Sequence, residues 1–571
     1  MVRDISVISW LYFFLAFLLF LGPGYAILSI LPQRSFTPIS KFSNIAVGFG
    51  YSVCFWAILL LWFKVFQLRL GMLVSLILCL VGWAIVIFRV ISQYRHGNLK
   101  DLWPKKFDYL ELSIFLLCCI IALWGYRHEV AGLGSDSYHH TLIAEMILKG
   151  GQIPDNYLPY APIISFSYHY GYHASVAVLG WLSGWPLRLI VVISGPILIA
   201  MSGLAIGLLV STITGNRVAE LVAFVVVSFL SVFPAYMLNW GRYPQLLGTY
   251  LMIIFLTCFI LWEREKFPLW QVPWIALLAV GLSLAHYRVA IMTIAGLVMY
   301  LLVEFVSNTD FRSTWTKNLP HWIAALLICL MLGAPWIVNI YISHQQGLSI
   351  SYPLTEDSSF YSISRLGDVP IHYATNLPLV AISLASILYG ILRKKALVIW
   401  VLLWWGLLFA LSSGGLLGSA LDRVSWYISL FIPVGLLIGI ATAELARIKQ
   451  VSDPVRFGGY LIGVGILVWG SLLSMHIPQP SDAYVRAVDM EAMDWIKAYT
   501  PQDAIFMVNT YAFPFASEYI IGSDAGYWLP ILGERRTVVP PMTYQIERMS
   551  SVDMFQNLVL LHQLKGHLET P

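Results

Sequence analysis

The sequence predicts an all-α polytopic membrane protein of about 14 transmembrane helices, followed by a small C-terminal α/β domain. Three observations predict it. Of 571 residues, 59% are hydrophobic and only 11% are charged, against roughly 25% charged in a soluble protein. Apolar runs of about 20 residues, the length of a bilayer-crossing helix, recur from one end to the other. The Lys and Arg residues gather in alternate short connections between those runs, the pattern that orients a multi-pass chain.

The expected spans lie near 6–31, 45–63, 70–92, 109–126, 187–211, 217–238, 244–262, 270–286, 289–306, 321–342, 375–392, 397–412, 425–443 and 458–475. No small-residue cleavage site follows the first run, so it reads as a retained helix and not a removed signal peptide. Basic connections hold Arg89, Arg95, Lys100, Lys105 and Lys106, then Arg264 and Lys266, Arg312 and Lys317, Arg393 to Lys395, and Arg447, Lys449 and Arg456. Placing all of these in the cytoplasm gives one consistent alternation. It puts 127–186, 239–243, Ala285–Arg288, 343–374, 413–424 and 476–571 on the outer side, with the N-terminus outside as well. Residues 173–185 are apolar but too short to cross, and read as an interfacial or re-entrant helix. The organisation expected is N-terminal helices over 1–108, a transmembrane core over 109–475 and an extracytoplasmic domain over 476–571, short or incomplete. All six cysteines fall in apolar runs without a CxxC pair, which argues against a disulfide framework or a zinc site. A net charge of +4, spread along loops, excludes nucleic acid as a partner. The lipid bilayer is the partner that composition implies, and the location is a cell membrane.

Polar residues are scarce, so their clustering in 127–186 is informative. That loop holds five of the 13 histidines, among them His139, His140, His169 and His173, and it holds Asp136 just past a span. After Asp136, Leu142, Ile143, Met146 and Ile147 share one helical face, Glu145 and Lys149 form an i,i+4 pair, and Gly150-Gly151 closes the helix. This predicts a short amphipathic helix on the membrane surface with Asp136 at its start. An aspartate there can cap the helix, or act as a general base toward an acceptor hydroxyl; the two roles are compatible. His169 and His173, four residues apart, could join His139, His140 and Asp136 around a divalent cation. The interleaved Tyr168, Tyr170 and Tyr172 equally fit an aromatic surface for a sugar or a lipid headgroup.

Three further outward motifs carry arginine: NWGRYPQ with Arg242, AHYR with His286, Tyr287 and Arg288, and LDRVSW with Asp422 and Arg423. Arginine's planar fork suits phosphate, although a span-end arginine also snorkels. Arg288 is the preferred phosphate ligand because it opens a helix, where backbone N–H groups also favour anions. The 343–374 loop, with Glu356, Asp357, Arg365, Asp368 and His372, reads as a lid or a solvated connector.

Taken together, GSDSYHH with the amphipathic helix after it, FSYHYGYHA before the next spans, LDRVSWYISLFIP before a late span, and the tail segments DWIKAYTPQDAIF and GYWLPILGERR resemble the GT-C superfamily of membrane glycosyltransferases. The resemblance covers most of the chain after about residue 105. It implies a polyprenyl-phosphate-linked sugar donor and a glycan, lipid or protein acceptor. Asp136 would be the general base of an inverting transfer, with Arg288, Arg423 and Arg242 at the donor phosphate. His139, His140, His169, His173, His286 and Tyr287 would bind substrate or a divalent cation. No WWDYG motif is present, which argues against transfer to asparagine, and Asp136-Ser137 stands where protein mannosyltransferases carry Asp-Glu. At least three additional spans precede the Asp136 loop, so the acceptor is not inherited from a known branch. The rival readings are a transporter or flippase, which predicts mid-membrane charges and internal repeats, and a polymerase or ligase of lipid-linked saccharides, which predicts its main loop late in the chain.

Overall fold

A stack of long apolar helices carries a small mixed domain at one end of the molecule. The computed structural model describes residues 6–31, 41–95, 104–265, 268–349, 377–413, 421–447, 453–513 and 516–550, with Gln556, Leu560 and Gln563 beyond them. The charged residues expected in the 343–374 loop, and Lys100, Lys266 and Lys449 of the basic segments, lie outside the described residues.

Among the described residues, nine helices are long and apolar enough to cross a bilayer: Val7–Ile30, Asn44–Val65, Met72–Arg95, Lys106–Gly125, Leu187–Thr214, Tyr243–Arg264, Tyr287–Ser307, Thr309–Gln345 and Arg423–Leu445. Each answers to one of the fourteen expected spans. The other five differ for local reasons. The 217–238 segment is a helix Arg217–Val225 and a π turn Val226–Leu230, which stops before Pro234; proline has no N–H to continue a helical ladder. Segment 270–286 is the shorter apolar helix Leu269–Ala285, while 458–475 falls within a helix Asp453–Ser474. Helices Pro378–Leu392 and Ala396–Ser412 form a pair bent by 119°, a tenth span if counted as one. The Thr309–Gln345 helix starts early because the Asn308 side chain caps it, accepting from Asp310 N and Phe311 N at 3.1 Å each. It thereby absorbs the basic connection expected around Arg312 and Lys317.

The Gly22-Pro23-Gly24 break separates Val7–Phe20 from Gly22–Ile30. Close backbone approach explains Gly24: a Cβ there would lie 1.9 Å from the Gly48 carbonyl oxygen, and its N–H donates to Ser52 Oγ at 2.9 Å. Buried charge ties three helices together away from the histidines. Ser43 Oγ lies 2.9 Å from Glu220 and 3.2 Å from Glu111, and Arg217 reaches Glu220 at 3.0 Å. Elsewhere Glu444 joins Lys395 and Arg447 at 2.7 and 2.8 Å.

The short helices near Asp136 depart from expectation. Gly171–Ser183, expected as an interfacial or re-entrant helix, is buried from Gly171 to Gly180, packed among the helices before and after it. Asp136–Gly150 has the expected bounds, closed by Gly151 at φ +69°, but its first half is covered on every side while Lys149 stays exposed. Ser137 to Ala144 are buried, because the C-terminal segment lies over the face expected to meet water. Lys149 bonds the Tyr160 hydroxyl at 3.1 Å, and Glu145 is its electrostatic neighbour.

The C-terminal segment has the expected α/β content in reduced form. It holds a helix Ala487–Tyr499, a parallel pair Ile505–Phe506 with Arg536–Thr537, and an antiparallel pair Thr510–Phe513 with Ala516–Gly522. A third pair joins Arg548–Met549 to Leu348–Ser349, extended by a bridge from Met549 to Ile163. This places the tail on the same face as the 127–186 loop, as the charge pattern predicts.

Candidate active site

Asp136 is the first residue of its helix, and the residue before it, Ser135, makes no side-chain cap. The carboxylate does not cap the helix either. Its hydrogen-bond partner is Ser135 Oγ at 3.4 Å, so the capping role foreseen for it is not what holds it. A negative charge in the first turn is still favoured by the helix dipole. The turn before it is fixed by Gly134 at φ +72°, where a Cβ would stand 2.6 Å from the Asn239 carbonyl. Only glycine adopts that backbone freely. The Gly134 N–H donates to the Asp482 carbonyl at 2.8 Å, which anchors the C-terminal segment beside Asp136.

Behind Asp136 the predicted histidines come together. His139 and His140 lie one turn inside the helix, with ring centroids 4.2 Å apart. His140 Nδ1 and His173 Nε2 are hydrogen-bonded at 3.0 Å. Tyr168 stacks on His169 at 4.0 Å and lies 5.6 Å from His139. His169 in turn meets His286 at 4.4 Å and Tyr287 at 5.7 Å. All five histidines are buried, and both ring nitrogens of His139 and of His169 lack a hydrogen-bond partner. Burial pushes the imidazoles of His139, His140, His169 and His173 below the ordinary histidine range, and neighbouring imidazoles push His140 further. They are therefore neutral at pH 7 and act as hydrogen-bonding groups, not cations. Among the described residues, no three His, Cys, Asp or Glu side chains converge in a way that could hold a metal ion.

The arginines reach the same place with different partners. Arg288 pairs with Asp422 at 2.7 Å and donates to Ser425 Oγ at 2.9 Å. Asp422 also caps the helix Arg423–Ile428 through Ser425 N at 2.6 Å. Arg423 thus begins a helix one residue from the Arg288 ion pair. Arg242 lies over the Trp240 ring at 5.6 Å and donates to Gln245 Oε1 at 3.1 Å, while its buried Nε has no partner. The charges of Asp136, Arg288 and Arg242 all act on the buried Tyr168 phenol, where burial is the main cause of a raised pKa. Four of the histidine rings, His139, His140, His169 and His173, lie within 6.0 Å of the Tyr168 ring, and Asp136, Tyr287, Arg242 and Arg288 are within electrostatic reach of it.

Sequence reasoning missed the contribution of the tail. Glu547 is buried and accepts from Ser165 Oγ and Ser167 N at 2.6 Å, Tyr168 N at 2.9 Å and Ser167 Oγ at 3.2 Å. Tyr527 and Trp528 pack on Tyr138 at 4.4 and 5.8 Å. These partners lie some 380 residues from the loop they hold, and no local pattern announces such a pairing. An apolar cavity lined by Phe13, Phe17, Phe20, Phe49, Leu179 and Tyr172 adjoins the histidines, since the Tyr172 ring also stands 6.2 Å from His140.

Three solved structures of an oligosaccharyltransferase from Archaeoglobus fulgidus are similar to the chain. One is the archaeal oligosaccharyltransferase AglB in complex with an inhibitory peptide and a dolichol-phosphate, at 13% identity and TM-score 0.48, covering 76% of this chain and 64% of that one. A second is tethered to an acceptor peptide containing the NVT sequon, at 13% identity and TM-score 0.49, covering 80% and 68%. A third is a complex with Zn and sulfate, at 13% identity and TM-score 0.46, covering 75% and 62%. The chain thus spans about two thirds of the length of these structures. Among curated proteins none matches the sequence. A family model matches residues 17–430, the greater part of the described helices and the whole Asp136–His286 region, and the chain belongs to that family, a family of unknown function (DUF6541).

Proposed function

We propose that this chain is a membrane glycosyltransferase that moves a sugar from a polyprenyl-phosphate-linked donor to an acceptor hydroxyl at the outer face of a cell membrane, with Asp136 as general base. One observation supports the reading: Asp136 and two arginines act electrostatically on a single buried tyrosine, which is packed against imidazoles whose nitrogens have no partner. A carboxylate supplies the proton acceptor, and guanidinium groups stabilise charge on a departing phosphate.

The acceptor hydroxyl gives its proton to Asp136 as its oxygen bonds to the anomeric carbon. The bond from that carbon to the phosphate oxygen breaks on the opposite side, and the electron pair leaves with the polyprenyl phosphate. Arg242 faces the leaving group with a free Nε–H, Arg288 brings a charge already balanced by Asp422, and Arg423 opens the helix next to them. The neutral imidazoles of His139, His140, His169, His173 and His286, with the Tyr287 side chain, hydrogen-bond the sugar. The Phe-lined cavity against Tyr172 accepts the first isoprenoid units.

The test is incorporation of radiolabelled sugar from a polyprenyl-phosphate donor into membranes carrying the wild type or Asp136→Asn. Loss of a general base lowers the rate by about 10²–10⁴-fold. Equal incorporation by the two proteins removes Asp136 from the mechanism.

A further inference from the structure

The C-terminal segment also reaches the Asp136 turn and supplies a second wall beside it. There the Tyr484 and Tyr511 hydroxyls are hydrogen-bonded to each other at 3.0 Å. Tyr484 lies 6.3 Å from Tyr527, whose ring packs on Tyr138, two residues into the Asp136 helix. Asp482 is pinned from two directions. Its carbonyl accepts from Gly134 N at 2.8 Å, and Asn239 holds the approach to it, donating to the Ile477 carbonyl at 2.8 Å and accepting from Gln479 N at 3.2 Å. Asp136 and Asp482 are both within electrostatic reach of the Tyr484–Tyr511 pair, and the Gly134–Asp482 backbone bond ties the two acidic residues to one corner. His139, buried with both ring nitrogens unpartnered, is within electrostatic reach of Asp136 from the helix side.

We propose that this wall, formed by Tyr484, Tyr511 and Asp482 beside Asp136, is the acceptor subsite, and that the acceptor is a neutral carbohydrate. The proposal rests on the glycosyltransferase reading for the word acceptor, but the binding chemistry is independent of it. The shared hydrogen bond between the phenols occupies one of their two hydrogens, leaving one donor and spare lone pairs. Neither Asp136 nor Asp482 has a cationic partner among the described residues, and a carboxylate only accepts. A ligand that satisfies this wall must therefore bring several hydroxyl donors. It must also lack negative charge, because two carboxylates repel a phosphate or a uronic acid. It must offer C–H edges to the electron-rich faces of the tyrosine rings. A neutral sugar meets all three conditions. An extended peptide carries one backbone donor per residue and calls for a strand edge.

The test uses the full-length protein in nanodiscs, fluorescently labelled and applied to an array of neutral oligosaccharides, uronic-acid oligosaccharides and peptides. Wild type is retained on neutral oligosaccharides. Tyr511→Phe and Asp482→Asn, both nearly isosteric, each weaken that retention at least about tenfold, the worth of one hydrogen bond to a charged or polar partner. Should one variant fail to accumulate, the other decides. Retention confined to peptides or acidic glycans, no retention on neutral glycans, or retention unchanged in the variants overturns the proposal. Failure of the transferase reading shows elsewhere, as sugar incorporation indifferent to Asp136→Asn, and leaves the array result standing.

Discussion

Glu547 offers the sharpest check on how the tail and the membrane core act together. Its two carboxylate oxygens are used differently. Oε1 accepts the backbone N–H groups of Ser167 and Tyr168, and Oε2 accepts the hydroxyls of Ser165 and Ser167. In Glu547→Gln the amide carbonyl can keep both backbone bonds, while the NH₂ group donates to serine oxygens that can reverse their role. Burial holds the Glu547 carboxyl above its ordinary pKa despite four donors, so removing the charge costs little. The Gln variant is expected within about 1 kcal/mol of wild type. In Glu547→Ala two buried backbone N–H groups lose their acceptor, at about 1–3 kcal/mol each, so about 2–6 kcal/mol of local stability is lost. That is a rise of roughly 30-fold or more in opening of the 163–170 segment. Hydrogen exchange read by mass spectrometry on peptides covering that segment measures it, with the Asn44–Val65 helix as internal reference. Glutamine exchanging like alanine, or alanine exchanging like wild type, would refute the claim that these four bonds position Tyr168 and His169.

Three further outcomes follow from the geometry. Buried His139, His140, His169 and His173 have folded-state pKa values below the unfolded value, so the unfolded chain binds more protons between the two. Their stabilisation is complete above about pH 6.5 and falls on acidification, by up to about 1.4 kcal/mol per pH unit per histidine. Melting temperature should therefore drop from pH 7.5 to 5.5, and less steeply in His140→Gln; a rise on acidification contradicts the assignment. Gly24→Ala places a methyl 1.9 Å from the Gly48 carbonyl and 2.6 Å from Ser52 N. It should cost about 3 kcal/mol or more, visible as loss of the monodisperse peak in size-exclusion chromatography. Asp422→Asn keeps the cap on Ser425 but removes the 2.7 Å ion pair with Arg288, while Asp422→Ala loses both. The first should cost about 3–5 kcal/mol and the second about 1 kcal/mol more, read as an ordered fall in melting temperature.

What could be read from the residues was whatever is encoded locally. The apolar runs located nine helices, and Gly150-Gly151 fixed the end of the Asp136 helix, because hydropathy and turn chemistry act within a few residues. The histidine cluster was foreseen in membership, since five of its parts share two loops and a span end. What escaped were contacts between distant segments. The 136–150 sequence shows an apolar stripe and a polar stripe, which elsewhere means one wet face; here Tyr527 and Trp528 cover that face. The Gly171–Ser183 helix was correctly judged too short to cross, but nothing in thirteen residues reveals that seven helices surround it. Arg288 appeared as a free phosphate ligand because Asp422 lies 134 residues downstream.

The distribution of charge also bears on the stereochemistry of the proposed transfer. With the imidazoles neutral, positive potential on the Tyr168 side comes from the guanidinium groups, and Asp422 offsets that of Arg288. Among the described residues Arg242 has no acidic partner: its donors go to Gln245 and the Trp240 face, and its buried Nε is open. Negative potential on the other side comes from Asp136 and Asp482 around the Tyr484–Tyr511 pair. A donor phosphate is thus drawn to one wall and excluded from the other, while a neutral acceptor is accommodated where the phosphate is not. A sugar held between the walls meets the incoming oxygen on the face opposite its leaving group. In the proposed transfer that arrangement predicts inversion at the anomeric carbon, with Asp136 as the base on the acceptor side. Nuclear magnetic resonance of the linkage formed from an anomerically pure donor reads the outcome directly. A product that retains the donor configuration requires a covalent intermediate and a nucleophile on the phosphate-opposed face, and so would place Asp136 in bonding contact with the sugar instead of with the acceptor proton.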